Sequence, residues 1–204
     1  MNILKTLCLA AAFIGTTAAH ANEPLNTVSD YFNNLSTLQT SFTQFNADGT
    51  ISTGDFYMSR PGRLRMEYDA NGDGALLLVA AGSVAIFDSK SNDHATQYPL
   101  NMTPLGPILA REVDLKREKR VDGAHMHENG ISVFASDPEH PEYGVGRFGF
   151  SADPLRLESW TMTNELGETT HIVFNEDMKI GHTLSRNMFS IEREKERRNP
   201  RGDR

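Results

Sequence analysis

The sequence contains almost no cysteine. Its one cysteine, Cys8, lies inside an apolar stretch within residues 1–21. That stretch has Lys5 near its start and the small-residue sequence AHA at its end, which is typical of a cleavable secretory signal and not of a membrane span. We therefore expect an exported mature chain, beginning at residue 22, that has no disulfide and no thiol nucleophile and depends on its apolar core for stability.

Signatures of catalysis are also missing. The sequence has no Gly-x-Ser-x-Gly nucleophile motif, and no pair of carboxylates stands out from the many surface acids. The glycines of GVGRFG (144–149) have dinucleotide-binding spacing, but they lead into a predicted strand, whereas a phosphate site needs a following helix. The sequence therefore predicts no enzyme and no cofactor.

Two sequence patterns each contain part of the ligand set of a metal site. DANGDG (69–74) matches the first half of a calcium loop, but Ala80 stands where a bidentate glutamate belongs. A hairpin turn explains it more simply, and a weak calcium site stays open. His125 and His127 would share a strand face, but two ligands are too few for a zinc site. We therefore expect no metal.

Charge and length limit the partners and the number of domains. The net charge is −7, and removal of Lys5 makes it −8, a value that repels phosphate backbones, so nucleic acid is excluded. We expect a monomer with one domain over residues 22–190, because a chain of about 180 residues usually forms one core. Residues 191–204 are expected to be a charged, solvated tail.

The spacing of apolar residues predicts one N-terminal helix followed by a sheet. Leu25, Val28, Phe32 and Leu35 recur at helical steps, with Asn26 or Thr27 as the expected cap. From Leu38 the period changes to two, which predicts ten short strands: LQTSFTQF, GDFYM, RLRMEY, ALLLVAAG, VAIFD, ATQYPL, ISVFASD, GRFGFS, RLESWTMT and THIVFN.

A second helix is predicted between the strands. In NMTPLGPILAREVDL, helical spacing returns at Leu105, Ile108, Leu109 and Val113, with prolines near the start, where a helix tolerates them. We expect this helix to cover one face of the sheet. The strands should pair mainly with their neighbours in sequence, and a sheet of ten strands must curl.

The segment from Phe56 to Tyr68 is the most informative part of the chain. In its second strand Leu64, Met66 and Tyr68 share one face and Arg63, Arg65 and Glu67 the other, so one face is apolar and the other is expected to be solvated. Pro61 and Gly62 form a turn, because proline presets φ and glycine accepts dihedrals that other residues resist. Arg60 is thereby held at the rim of the apolar face.

Large apolar residues also share a face in other strands, as in Phe148 with Phe150 and Ile172 with Phe174. Such faces ordinarily fill a barrel or sandwich core. They would line a cavity if the helices cover the sheet incompletely, and the methionines favour this alternative because they repack around irregular ligands.

These features together resemble the LolA family of periplasmic outer-membrane lipoprotein carrier proteins. The resemblance covers most of the expected mature chain. It rests on SFTQ (41–44) after an N-terminal helix, SRPGRLRMEY (59–68), AAGSVAIFD (80–88), PLNMTPLGPILA (99–110) and a late Phe189.

The resemblance implies a mainly β fold with some α: an incomplete antiparallel β-barrel whose concave face is covered by a lid of short helices. It implies that Arg60 gates the lid. It also implies that an apolar cavity holds the acyl chains of lipoproteins. Together with the strand alternation, it makes the expected lining residues Phe42, Phe56, Met58, Leu64, Met66, Leu105, Ile108, Leu109, Phe148, Phe150, Trp160, Ile172 and Phe174.

The implied partners are acylated lipoproteins, an inner-membrane ABC-type release complex and an outer-membrane acceptor, with the protein in the periplasm. One alternative is a lipid-sensing or regulatory scaffold domain of the same shape without cargo turnover. Another is a periplasmic hydrolase, which would require a polar constellation inside the cavity. The carrier interpretation requires an apolar inner wall that the protein's own side chains leave unfilled, and an interior packed solid beneath the helices would contradict it.

Overall fold

The computed structural model describes residues 17–69, 74–88 and 95–198, without the side chains of residues 17–22 and 143. The predicted signal segment up to residue 16 lies outside the described residues. Most of the loop that resembles a calcium site also lies outside them, since residues 70–73 are not described.

Antiparallel strands are the main elements of the described chain. In chain order they are β1 (Thr37–Phe45), β2 (Ile51–Ser59), β3 (Arg63–Tyr68), β4 (Leu76–Ala80), β5 (Ser83–Phe87), β6 (Thr96–Pro99), β7 (Val121–His127), β8 (Gly130–Ser136), β9 (Val145–Ala152), β10 (Leu155–Thr163), β11 (Thr169–Phe174) and β12 (Lys179–Ile180). All ten predicted strands are confirmed. Two strands were not predicted: β7, a largely exposed edge strand with few apolar side chains, and β12, which has only two residues.

The strands form one sheet in the order β6-β5-β4-β3-β2-β1-β11-β10-β9-β8-β7, and β12 pairs with β1. Along this path, neighbours in sequence pair as expected except where β1 meets β11, which places Phe42 opposite Phe174. β1 thus joins two meanders at the centre of the sheet. β6 and β7 lie at its two edges, and a sheet this wide curls. The predicted incomplete antiparallel β-barrel is confirmed.

Three helices accompany the sheet in the described residues: α1 (Thr17–Asn34), α2 (Leu105–Leu109) and α3 (Ile191–Arg198). Short 3₁₀ turns occupy Leu100–Met102, Pro141–Tyr143 and Arg186–Phe189. None of the helices in this part of the chain combines the length and the apolarity needed to cross a membrane.

The first helix is longer than predicted. Its expected buried stripe is confirmed, with Leu25, Val28 and Phe32 packed against the sheet. The expected cap is wrong, because α1 already begins at Thr17 and continues through Asn26 and Thr27. The Thr27 hydroxyl donates to the Glu23 carbonyl inside the helix at 3.0 Å, so this side chain bonds back along the helix instead of starting it.

The second helix is shorter than predicted. It ends at Leu109, because Ala110 has φ −57° and ψ 154°, outside the helical region. The extension to Val113 is therefore wrong. Val113 is nevertheless buried, since the chain after α2 lies against α1, and helical spacing alone could not separate these two ways of burying it.

The main core lies between the inner face of the sheet and the helices α1 and α2. All the residues expected to line a cavity belong to this one buried cluster. Aromatic rings meet edge to face within it, with ring centroids of Phe56 and Phe174 4.8 Å apart and those of Phe32 and Phe150 5.9 Å apart. Such pairs add to the stabilisation from burial itself.

A second, smaller core lies on the outer face of the sheet. It contains Leu76, Leu78, Ala85 and Phe87 from β4 and β5, together with Phe189 and Ile191 from the C-terminal segment. The expectation of a solvated outer face is wrong for Arg65, which is only 8% exposed. Alternation assigned Arg65 to the outer face, but it could not reveal that α3 folds back over this face.

Buried charges hold α3 in place. The Glu194 carboxylate accepts a hydrogen bond from Arg198 Nε at 2.8 Å and lies 3.5 Å from Arg65 Nη1. Arg65 also donates to the Met188 carbonyl at 3.1 Å. Burial raises the pKa of Glu194, but hydrogen bonds from Arg197 and Arg198 and the charge of Arg65 outweigh it and lower that pKa to about 2.

We expect Glu194→Gln to lower the free energy of unfolding at pH 7 by about 2–3 kcal/mol, because it removes the carboxylate that Arg65, Arg197 and Arg198 share and leaves the buried Arg65 paired with Glu67 alone. The folded pKa of about 2 lies below the ordinary 4.5, so this stability is complete above about pH 4.5 and is lost as the pH falls toward 2. Urea unfolding as a function of pH measures both effects.

The control is Glu192→Gln, on the same helix, where the carboxylate pairs with Lys195 and its side chain is 77% exposed. Its effect should stay below about 0.5 kcal/mol. Equal unfolding free energies for Glu194→Gln and the unmodified chain at pH 7 would contradict the assignment.

Candidate functional site

The turn between β2 and β3 contacts the end of α2. Arg60 Nη2 donates to the Ala110 carbonyl at 2.6 Å, and the Gly62 N–H donates to the Leu109 carbonyl at 2.9 Å. Gly62 has φ +74°, which confirms the expected need for glycine in this turn. The Arg60 N–H donates to the Ser36 carbonyl at 2.9 Å. The turn is thereby fixed to the start of β1 and reaches the helix from there.

The Arg60 side chain is incompletely satisfied in this position. Burial lowers the pKa of its guanidinium, and Nε is buried without a hydrogen-bond partner in the described residues. Desolvation of these groups costs free energy, and the charge-assisted bond to Ala110 offsets part of that cost. The net contribution of this contact to holding α2 is therefore about 1.5–3 kcal/mol at most.

The interior beneath α1 and α2 is filled. The space left between the helices and the sheet amounts to a cavity of about 10 Å³, room for about one water molecule. Val28 and Phe32 of α1 and Ile108 of α2 border it together with Phe148 and Phe150 of β9. Among the described residues, side chains of the two helices occupy this part of the inner wall, so the expected unfilled interior is not found there.

An open groove lies at the other end of the inner face, away from Arg60. Its volume is about 670 Å³. The apolar part of its wall includes Tyr68, Leu77 and Ile86, and its polar rim includes Asn46 and Asp48. We call this space the open groove. It is large enough for part of an acyl chain and needs no movement of the helices.

Of the residues that line the open groove, only Tyr68 was assigned to an apolar face from the sequence, and none was among the expected cavity-lining residues. The signal was present, because alternation within ALLLVAAG and VAIFD places Leu77 and Ile86 on one face. The register confirms this, since Leu77 lies opposite both Met66 and Ile86. What could not be predicted was which part of the inner face the helices leave uncovered.

A polar pair separates the open groove from the filled interior. The Tyr68 hydroxyl donates to Gln44 Oε1 at 2.7 Å, and its ring meets Phe42 edge to face at 5.1 Å. Burial raises the pKa of Tyr68 to about 12, although the bond to Gln44 acts in the opposite direction. Tyr68 thus keeps its proton at neutral pH and remains a hydrogen-bond donor at this boundary.

α1 is tied to the chain that follows α2. The Asn33 amide accepts from the Val113 N–H and donates to the Val113 carbonyl, both at 2.9 Å. The Ser29 hydroxyl accepts from the Leu115 N–H at 3.0 Å. These side chains supply hydrogen-bond partners for backbone groups of residues 113 and 115, which lie outside any strand or helix. α1 and the chain leaving α2 are therefore connected.

The other candidate residues lie elsewhere. His125 and His127 both lie on the exposed edge strand β7, and His127 Nε2 is 3.4 Å from the Ser132 hydroxyl. Within the described ranges, no group of three or more His, Cys, Asp or Glu side chains is placed to hold a metal ion. The glycine motif 144–149 leads into β9 and not into a helix.

An unclosed antiparallel sheet whose apolar inner face is covered by two helices is an incomplete β-barrel with helices over its concave face. Residues 33–192 match the family described as "Outer membrane lipoprotein carrier protein LolA". The match spans well over half of the chain. This protein belongs to the LolA family.

Curated relatives have similar names at low identity. The chain is 24% identical over 200 residues to an outer-membrane lipoprotein carrier protein of Pseudomonas paraeruginosa, with 94% of this chain and 95% of the relative covered. It is 23% identical over 200 residues to the protein of the same name in Pseudomonas aeruginosa, with the same coverage.

Solved structures show weaker likeness. A LolA superfamily protein from Nitrosomonas europaea has a TM-score of 0.45 at 10% identity, covering 83% of this chain and 97% of that one. MucB in its complex with MucA from Pseudomonas aeruginosa has a TM-score of 0.41 at 12% identity, covering 84% of this chain and 60% of that one. These TM-scores are too low to bear on function.

We expect Asn33→Ala to speed amide exchange at Val113 about tenfold and to lower the free energy of unfolding by about 1–2 kcal/mol, because two hydrogen bonds are lost. Hydrogen exchange followed by NMR measures the first effect and urea unfolding the second. Asn34→Ala, at the exposed end of the same helix, is the control and should leave the Val113 amide unchanged. Unchanged exchange in Asn33→Ala would show that α1 does not hold this segment.

Proposed function

We propose that this protein is a periplasmic carrier that binds the acyl chains of lipoproteins and moves them from the inner to the outer membrane. The observation that carries the proposal is the hydrogen bond from Arg60 to the Ala110 carbonyl at 2.6 Å, which holds α2 against an apolar inner wall. Membership of the LolA family and the names of the curated relatives support it.

The reason for a carrier lies in the cost of exposing hydrocarbon. An acyl chain of about fifteen methylenes costs on the order of 12 kcal/mol in water, at about 0.8 kcal/mol each. Unaided transfer between membranes is therefore slow. A carrier replaces one apolar environment by another, and uptake then depends on small differences between membrane, donor and carrier.

Closing and cargo binding exclude each other in this molecule. In the closed form Val28, Phe32 and Ile108 occupy the space on the inner wall, so cargo must displace them to enter. Apolar contacts of the helices are then exchanged for apolar contacts of the cargo, with little net change in hydrophobic free energy. Small polar terms, such as the bond made by Arg60, are therefore able to decide between the loaded and the closed states.

The open groove supplies a starting point for entry. It exposes apolar surface at Leu77 and Ile86 without any movement of α1 or α2. An acyl chain that docks there would meet Tyr68 and Gln44 before it reaches the filled interior. In this proposal the cargo enters along the sheet from the open groove while the helices move outward.

Release follows from the same competition. A charge-assisted hydrogen bond contributes about 1.5–3 kcal/mol, which corresponds to a change of roughly tenfold to a hundredfold in the ratio of closed to open forms. Closing by Arg60 therefore drives cargo out toward an acceptor. The proposed donor is an inner-membrane ABC-type release complex and the acceptor an outer-membrane protein, with the carrier acting as a monomer and not as an enzyme.

A second candidate function is a regulatory or lipid-sensing scaffold of the same shape. The filled interior favours it, because a domain that never takes up cargo has no need of free space. It predicts a fixed protein partner and no turnover of lipid.

A scaffold that takes up no lipid is distinguished from the carrier by quenching of the fluorescence of Trp160, the one tryptophan in the chain, and a lipid-sensing scaffold is distinguished from it by the absence of lipoprotein transfer to acceptor membranes. Its ring lies on the inner wall, stacked on Phe148 with centroids 5.7 Å apart. The probe is a triacylated lipopeptide whose acyl chains carry bromine. The carrier function predicts saturable quenching by the brominated probe and none by the same lipopeptide without bromine. If the brominated lipopeptide neither quenches Trp160 nor co-elutes with the protein, the carrier function is excluded and the scaffold remains.

We expect Arg60→Leu to fold normally and to slow transfer of bound lipoprotein to acceptor membranes about tenfold or more, because closing no longer drives release. Transfer of a radiolabelled lipoprotein measures this. Arg63→Leu, in the same turn with its side chain on Ser59 Oγ at 3.2 Å, is the matched control and should transfer at the unmodified rate. Equal transfer rates for Arg60→Leu and the unmodified chain would refute the gating role.

A further inference from the structure

The two edges of the open sheet approach each other through one side chain. β6 continues directly into the turn Leu100–Met102, and Arg120 immediately precedes β7. Arg120 Nη1 donates to the Asn101 carbonyl, and the same atom lies 3.4 Å from the Thr103 carbonyl. A residue at the start of one sheet edge thus bonds the backbone that leaves the other edge.

Arg120 is fixed to the β7 side of the gap. Its carbonyl accepts from the Ser136 N–H at 2.9 Å, at the end of β8. Its Nε donates to Glu118 Oε1 at 3.2 Å, and only 20% of its side chain is exposed. The guanidinium is therefore oriented by an ion pair before it reaches across the gap, which limits the entropy it loses in making the contact.

The other side of the gap is equally well defined. The Leu100 N–H donates to the Gly82 carbonyl at 2.8 Å, which ties this backbone to the turn between β4 and β5. α2 then crosses closely above it at Gly106. A Cβ at Gly106 would lie 3.1 Å from the Leu100 carbonyl oxygen and 3.6 Å from Arg120 Nη2. The lid segment, defined as residues 100–110, is thus packed onto the arginine.

We infer that Arg120 acts as a staple across the open side of the sheet and sets how readily the lid segment lifts. Arg60 holds the C-terminal end of the lid segment at Ala110, whereas Arg120 holds its N-terminal end at Asn101 and Thr103. The two arginines come from different parts of the chain and bond different carbonyls. Lifting the whole lid segment requires both contacts to break, and breaking one alone leaves the segment hinged at the other.

Arg120 is a positioning residue in this inference, since it contacts the lid segment and not the inner wall. Its consequence for cargo rests on the proposed carrier function. Its effect on the lid segment does not, and it is measured without any lipoprotein. Failure of the staple and failure of the carrier function are therefore separate results.

The experiment is hydrogen exchange with mass spectrometry on the unmodified chain and on Arg120→Gln. We expect amides of the lid segment and of β7 to exchange about tenfold faster or more in Arg120→Gln, because a charge-assisted contact across the gap is lost. Amides of β1 and β2, at the centre of the sheet, should keep their protection. Arg117→Gln, in the same loop with its side chain 88% exposed, is the control and should match the unmodified chain.

A merely structural role would speed exchange throughout the sheet, so uniform acceleration in β1, β2 and the lid segment would overturn the inference. Unchanged exchange in the lid segment would also overturn it. If Arg120→Gln does not fold, Arg120→Lys serves instead, because lysine keeps the charge but not the planar fork. It should show the same local pattern to a smaller extent, and a uniform or absent change in Arg120→Lys would likewise refute the staple.

Discussion

Competition for a single apolar wall is the constraint on which the rest of the structure depends. The sheet presents large side chains such as Phe148 and Phe150 on its concave face, and water cannot be left in contact with so much hydrocarbon without cost. In the closed form α1 and α2 supply the cover, with Phe32 and Ile108 inserted where cargo would lie. In the proposed carrier function, cover and cargo offer chemically similar contacts, so polar contacts at the ends of the lid segment decide the balance between them.

Those contacts follow from the shortness of α2. A helix of five residues satisfies few of its own carbonyls, since the last four of any helix have no partner within it. Gly62 and Arg60 provide donors for Leu109 and Ala110, and Arg120 provides them for the turn that precedes α2. Every one of these donors is fixed to the sheet. In the proposed carrier function α2 moves away from the sheet. The hydrogen bonds that its terminal carbonyls make to the sheet can then break without unfolding the helix itself.

The outer face of the sheet is covered by α3 and not by α1 or α2. There α3 covers a small core around Leu78 and Phe87, and Glu194 with its three arginines secures the helix over Arg65. β3 is thus covered on both faces: the main core and its helices lie on the inner face, and α3 lies on the outer face. Leu64, Met66 and Arg65 lie on this one strand, so in the proposed carrier function the cover on the outer face keeps the inner wall in register while α1 and α2 exchange places with cargo.

Much of the architecture could be read from the sequence by itself. Alternation located ten of the strands and assigned Leu64, Met66, Phe148 and Phe150 to one face, and the Arg-Pro-Gly turn marked Arg60 as a rim residue, because period and turn chemistry are local properties. Local pattern could not show that β1 pairs with β11, that α3 buries Arg65, that α2 stops at Leu109, or that Arg120 spans the gap between the sheet edges. It also could not show whether the inner wall is filled. These outcomes join residues far apart in the chain, and only the tertiary structure decides them, since each depends on which distant surfaces meet.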